Sequence, residues 1–478
     1  MTLQWTASRF ALLALVISVS ASAATSEWRQ YEEPARAGWS VEQLEVARKI
    51  TEEVRSAAVM VVEDGTVVVA WGEVDRPFPI YSMRKGLYSA LAGIAVEEGR
   101  LDLETTLNAL GVSEIGGLSE EELSATVEHL LSSRSGVYRV SAYEPASMKR
   151  NRPDRGSHRA GEHWFYNNWD FNVIAHLIES ASGENIETLF RHRIAEPLGM
   201  QDLSENTAFL FQEPSRSLYP AVIFRLSARD LARFGLLYER KGLWNSHRIL
   251  EEEWVEESWR ARTDFSEPSS WEDATGFGYM WWIHRARSDA ERPFAQRDIY
   301  LTRGSHGQVL AIVPSLDLVV VHLTDTETGE GGTFEGAARV IDAVIASKTI
   351  EDPEGSTVRT TSLRPEALPN ASPAPEPRTA VAWSAEDIRS ISGEYALGPQ
   401  VTFVVHEDGR LFALPKGVPM SEVELFRDAE GRIFSPVLDV KITVVRTDEG
   451  RIAALEGQIE GRPVRIERLQ ARDSTRKE

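Results

Sequence analysis

Ser82 and Lys85 stand three residues apart at the start of a helical pattern, in Tyr81-Ser-Met-Arg-Lys85. Residues at that spacing share a helix face, so the lysine amine can reach the serine hydroxyl. A serine oxygen is a poor nucleophile until a neighbouring base takes its proton. Lysine is such a base only when uncharged, a state that burial and nearby cations favour. The helix start adds a positive end beside the charge that forms on attack. Tyr166 and Asn168, in the chain's only Tyr-x-Asn, bring two further groups suited to this chemistry. A phenol relays a proton as base and then as acid. An amide can hold the lysine and the carbonyl side of a substrate. In Thr302-Arg303-Gly304-Ser305-His306, a glycine at a strand edge lets backbone approach a ligand and offers an N–H to an oxyanion. His306 is either an accessory polar group there or an exposed turn residue. The spacing recurs at Ser474 and Lys477, in a polar tail where it is expected to be inert.

Elements must bring these groups together. Ser40–Arg55 has the spacing of an amphipathic helix, and Ala57–Val62 and Thr66–Trp71 read as strands joined at Glu63-Asp64-Gly65. Ser82–Glu98 reads as a helix stopped by Gly99, and a second helix is expected over Asn172–Ala181. The stretch from Ser82 to Trp259 is otherwise helical patterns and polar loops. Strands return at Gly278–Ile283, Ile299–Thr302, Gln308–Val313 and Leu316–Leu323, before an amphipathic helix at Phe334–Ser347. Early and late strands around a helical insertion imply one antiparallel sheet with a helical lobe, and a cleft between the two. Residues 349–383 have a linker's composition, with a Pro-rich run at Leu368–Pro377. Short strands at Tyr395–Leu397, Thr402–His406, Leu411–Ala413, Lys441–Arg446 and Val464–Arg468 suggest a small all-β barrel or sandwich over 384–470, followed by a polar tail at 471–478.

Composition narrows the function. With 73 acidic against 52 basic side chains the net charge is −21, which argues against nucleic acid and anionic membrane surfaces as partners. The chain has no cysteine, so disulfides, zinc-thiolate sites, iron–sulfur clusters and a cysteine nucleophile are excluded. Residues 1–23 read as a secretory signal: Arg9, an apolar run at Phe10–Val19, then Ala21-Ser-Ala23. The run is shorter than the roughly 20 residues that a spanning helix needs. A periplasmic or secreted protein without a membrane span, cleaved near Ala23, is therefore expected. No Gly-x-Ser-x-Gly occurs, which disfavours a nucleophile-elbow hydrolase.

The ordered set Ser82-x-x-Lys85, Tyr166-x-Asn168 and the glycine-bearing strand resembles the serine β-lactamase and penicillin-binding-protein superfamily. It is most similar to the class C-like branch, with its family VIII carboxylesterases, D-aminopeptidases and nylon-oligomer hydrolases. Thr126–Gly136, Ile194–Met200 and Ser227–Gly235 resemble stretches at the same places in that family, and the likeness covers about residues 40–348. Gly393–Arg468 looks like the small β domain often appended to such enzymes. The resemblance implies an α+β fold and a hydrolase without metal or cofactor. It also implies roles: Ser82 as the acylated nucleophile, Lys85 and Tyr166 as its proton-transfer partners, Asn168 orienting Lys85, and the N–H groups of Ser82 and Ser305 as the oxyanion hole. β-Lactamases usually carry Lys-Thr-Gly where this chain has Thr302-Arg303-Gly304, and esterases of the branch also lack that lysine. A carboxylesterase acting on small esters or amides is the expected function. The alternatives are a β-lactamase or D-amino-acid-specific peptidase, and a weakly active penicillin-recognition-like binding protein.

Overall fold

Valine-rich runs near the N-terminus build the centre of a sheet whose other half comes from more than two hundred residues later. The computed structural model describes residues 27–204, 207–265, 274–326, 331–349, 359–369, 381–396, 400–405, 411–415, 423–435, 440–447, 449–459 and 462–469. The expected signal and polar tail, with Ser474 and Lys477, lie outside them. The strands are β1 (Arg29–Tyr31), β2 (Ser56–Glu63), β3 (Thr66–Gly72), β4 (Ala208–Phe211), β5 (Ala221–Leu226), β6 (Thr263–Asp264), β7 (Gly276–Phe277), β8 (Trp282–His284), β9 (Ile299–Gly304), β10 (Gln308–Val313), β11 (Leu318–Thr324) and β12 (Thr360–Ser362). The main sheet runs β12-β1-β3-β2-β11-β10-β9-β8-β7-β6. Every residue of β2, β10 and β11 is buried, because helices cover both faces. β2 and β3 meet at the expected hairpin, where Asp64 and Gly65 both take positive φ, of 42° and 77°.

The helices that matter are α1 (Val41–Glu53), α2 (Arg84–Glu97), α3 (Asn168–Ser182), α4 (Ala228–Glu239) and α5 (Phe334–Ser347). α1 and α5 pack together on one face of the sheet, and α4 lies across β2, β10 and β11 on the other. Glycine lets α4 approach closely: a Cβ on Gly235 would sit 2.5 Å from Val319 Cγ1. α2 is buried on nearly every side, as its mixed pattern of small and apolar residues requires, and packs against α3 of the helical lobe. Two expected boundaries shift. Ser82 lies in a 3₁₀ turn, Tyr81–Met83, ahead of α2 rather than inside it. α3 begins four residues before Asn172, because the Asn167 side chain caps it by accepting from Trp169 N–H. The expected strand Gly278–Ile283 is broken, with Met280 at φ 66° between β7 and β8.

The second unit is a closed barrel of β13 (Gly393–Ala396), β14 (Gln400–Val405), β15 (Leu411–Pro415), β16 (Val423–Arg427), β17 (Ile433–Ser435), β18 (Val440–Arg446), β19 (Ile452–Ile459) and β20 (Arg462–Arg468), in which β20 returns to pair with β13. Tyr395, Leu411, Leu425, Ile433, Ile442, Leu455 and Ile466 are buried there. They belong to one apolar cluster with Phe209 and Phe211 of β4, Ala221 and Ile223 of β5, and Tyr81. Part of the expected linker is built into the first unit. β12 pairs antiparallel with β1, and Leu368 is buried in the main core. Among the described residues, no helix is long and apolar enough to cross a membrane.

Candidate active site

The turn that carries Ser82 is held from behind by a strand. Gly304 of β9 lies so close to Ile80 that a Cβ there would come 2.3 Å from the Ile80 carbonyl oxygen. Two residues back, Thr302 Cγ2 stands 2.5 Å from where a Gly86 Cβ would be, so β9 lies directly on the first turn of α2. Tyr81, between Ile80 and Ser82, has φ 47°, a conformation a bulky residue adopts only when its surroundings enforce it. The Tyr81 hydroxyl donates to Thr326 Oγ1 at 2.9 Å, and its ring lies 5.4 Å from that of His306.

Lys85 Nζ is hydrogen-bonded to Ser82 Oγ at 2.8 Å. The lysine is buried, with its amine 4.8 Å from the Tyr166 ring centre and 4.7 Å from that of Phe171. Burial first, and the neighbouring Arg84 guanidinium second, pull its amine well below the ordinary lysine range. Tyr166 is buried too, and burial pushes its phenol up. A hydrogen bond with Ser82 and the positive charges of Arg84 and Arg303 offset part of that rise. Ser82, Lys85 and Tyr166 therefore meet at one point, from the 3₁₀ turn, α2 and the loop before α3.

That loop is pinned by the Ser132–Gly136 stretch. Ser133 Oγ donates to the Phe165 carbonyl at 2.6 Å and accepts from Asn167 N–H at 3.1 Å. Ser135 Oγ donates to Asp170 Oδ1 at 2.6 Å, and Asn167 Nδ2 donates to the same oxygen at 2.9 Å. Asn168 lies on the first turn of α3. Its Nδ2 donates to the Tyr143 carbonyl at 2.5 Å, in place of the expected hold on Lys85, while its Oδ1 is buried without a hydrogen-bond partner. The reason is the early start of α3, which puts Asn168 on the first helical turn beside the Tyr143 carbonyl.

Tyr143 is the residue that sequence reasoning missed. Its phenol is raised by burial and by Tyr81, and lowered by Arg84 and by a hydrogen bond with Ser305, which places it at the edge of the site. Its ring centre lies 4.7 Å from that of Phe211 of β4, tilted by 34°, against the apolar cluster shared with the barrel. No motif marks it. Thr302 is buried, whereas Ser305 and His306 are exposed in the turn after β9, with His306 at φ 67°. Arg303 alternates away from Thr302, and its guanidinium lies between the rings of Trp282 at 3.9 Å and Phe334 at 4.5 Å. Trp282 in turn lies 5.4 Å from Tyr166 and, with Trp164, Phe265 and Phe277, forms an apolar wall. Among the described residues, no group of three His, Asp or Glu is placed to hold a metal ion.

The family model described as Beta-lactamase matches residues 41–345, well over half of the chain and every element around Ser82. The chain belongs to the Beta-lactamase family. Solved structures similar to this family member include a beta-lactamase from Mycobacterium bovis, at 22% identity over 64% of this chain and 100% of that one, with a TM-score of 0.47. An octameric penicillin-binding protein homologue from Pyrococcus abyssi is 17% identical over 89% and 98%, with a TM-score of 0.47. A hydrolase with promiscuous acyltransferase activity is 14% identical over 66% and 100%, with a TM-score of 0.48. Among curated proteins no relative matches. Members of the Beta-lactamase family are hydrolases, and here the fold brings together the serine, lysine and tyrosine that the sequence singles out.

The close approach of β9 to Ile80 gives a prediction. Gly304→Ala puts a methyl against a backbone oxygen that cannot step aside. The variant is expected to lose about 1–3 kcal/mol of stability. By displacing the Ser82 turn, it is expected to lose on the order of 10²-fold in kcat/KM. A thermal melt and ester kinetics check both effects.

Proposed function

We propose that this protein is a serine hydrolase that cleaves esters of small carboxylic acids through an acyl-enzyme on Ser82. The observation that carries the reading is the 2.8 Å hydrogen bond between Ser82 Oγ and a buried Lys85 amine. An uncharged Lys85 takes the Ser82 proton as Oγ attacks the ester carbonyl. The N–H groups of Ser82 and Ser305 receive the oxyanion. Tyr166 passes a proton to the leaving alkoxide, the C–O bond breaks, and the acyl group stays on Ser82. Water then attacks the acyl-enzyme and gives its proton to the Tyr166 phenolate, the Ser82 ester C–O bond breaks, and Lys85 returns its proton to Ser82 Oγ as the carboxylic acid leaves. Apolar acyl groups gain from burial against Trp164, the partly exposed ring of that wall.

Ester over β-lactam specificity follows from β9. A β-lactam carries a carboxylate beside the reacting carbonyl. Thr302 offers a hydroxyl where a cation would meet it, and Arg303 is engaged between Trp282 and Phe334. A charge-assisted hydrogen bond contributes roughly 1.5–3 kcal/mol. Its loss therefore costs a β-lactam about 10–100-fold, and a simple ester loses nothing. We expect kcat/KM for short-chain p-nitrophenyl esters to exceed that for a chromogenic cephalosporin by about that factor, and Thr302→Lys to narrow the gap. Equal turnover of the two substrates by the wild type would refute the esterase reading and favour a β-lactamase.

A further inference from the structure

Arg84, between the nucleophile and the lysine in sequence, is fully buried. A guanidinium in that position ordinarily has a carboxylate beside it, since an unpaired buried charge is costly. Among the described residues, none lies within ion-pair distance of Arg84. Its Nη2 donates to Asn172 Oδ1 of α3 at 3.1 Å, and Nε and Nη1 have no hydrogen-bond partner. Aromatic rings hold the rest, with Tyr88 5.7 Å and Tyr143 5.9 Å from the guanidinium carbon. Lys85 is likewise buried and without a carboxylate partner among the described residues. Two consecutive residues thus bury basic side chains without a carboxylate partner, and in so low a dielectric only one is readily charged.

We propose that Arg84 is a positioning residue for the reaction: its fixed charge keeps the neighbouring Lys85 uncharged and so able to accept the Ser82 proton. This rests on the acyl-enzyme reading above. The other ionisable groups around these two side chains are Tyr88 on α2, Glu179 on α3, Tyr143 and Tyr166 on their loops, and Arg303 on β9. The charge that acts on Lys85 is that of Arg84, in the direction that favours the free amine. The arrangement exchanges stability for reactivity, as active sites often do.

The test uses the full chain and three variants, Arg84→Met, Arg84→Gln and Arg84→Lys. The readouts are the rate of Ser82 modification by a fluorophosphonate between pH 5 and 10, followed by mass, and the thermal melt. Lys85 must be neutral to act. Removing the nearby charge raises its pKa, so the acid limb of the profile moves to higher pH. Arg84→Met and Arg84→Gln are expected to move that limb up by about 1–2 pH units, slowing modification about 10–100-fold below it. The rate recovers at high pH, and Tm is undiminished in Arg84→Met. Arg84→Lys restores the wild-type limb. If Arg84→Met does not fold, Arg84→Gln, which keeps a donor for Asn172, decides. A limb that stays in place in the neutral variants, an equal loss at every pH, or no recovery in Arg84→Lys overturns the proposal. Failure of the wild type to be modified at Ser82 instead overturns the acyl-enzyme reading itself.

Discussion

Ser82→Ala is expected to lower kcat/KM for p-nitrophenyl acetate by about 10⁴–10⁶-fold while leaving the thermal melt in place. The size of the loss follows from what the hydroxyl does. Ser82 Oγ is hydrogen-bonded to Lys85 and meets the Tyr166 phenol, and among the described residues no other hydroxyl is shown in that relation to a buried amine. On the proposed mechanism, removing it takes away the bond-forming atom and leaves groups that bind but do not acylate. Little stability is lost, because the turn is fixed by Tyr81, Ile80 and Gly304 rather than by the serine side chain. Ser474→Ala, with the same sequence spacing in the polar tail, should keep wild-type turnover. Ester kinetics on the two variants side by side make the comparison, and near wild-type turnover by Ser82→Ala would remove the nucleophile assignment.

Lys85→Met should cost about 10²–10⁴-fold in kcat/KM, the range for loss of a positioned general base. The substitution keeps the length of the side chain and its contacts with Phe171 and Tyr166, and it removes a buried amine that has no carboxylate to offset its desolvation. Activity should therefore collapse while Tm holds or rises. A merely structural lysine would give the opposite pair of results, a lower Tm with turnover retained. Measuring both on one preparation separates the two cases.

The Ser82–Lys85 pairing was legible because it is local: three residues on a helical turn fix the distance whatever the rest of the chain does. α5 and β10 were legible for the same reason, since Phe334–Ser347 and Gln308–Val313 carry clean periodicity between strong stop signals. The β domain was legible as a class, but β16, β17 and β19 were not, because their runs are short or carry Glu, Arg and Gly. What the sequence hid depends on distant partners. Thr360–Ser362 has a linker's polarity and becomes β12 only because β1 presents an open edge to it. Nothing local marks Arg84 as buried, since its burial depends on Asn172 and Tyr143, 88 and 59 positions away. Tyr143 reads as one aromatic among many, and its place beside Ser305 depends on a left-handed backbone turn and on Phe211 behind it. Asn168 was expected at Lys85, yet the early start of α3 brings its amide to the Tyr143 carbonyl.

The central claim, that an acyl group passes through Ser82, is tested most directly by trapping it. The full chain is mixed with p-nitrophenyl butyrate, quenched in acid within the first turnovers and digested, and the acylated peptide is mapped by tandem mass spectrometry. The account predicts one butyryl group per chain, on Ser82, formed at a rate no slower than steady-state turnover and absent in Ser82→Ala. Turnover with Ser82 unacylated throughout, or with the acyl group on another residue at a competent rate, would contradict it.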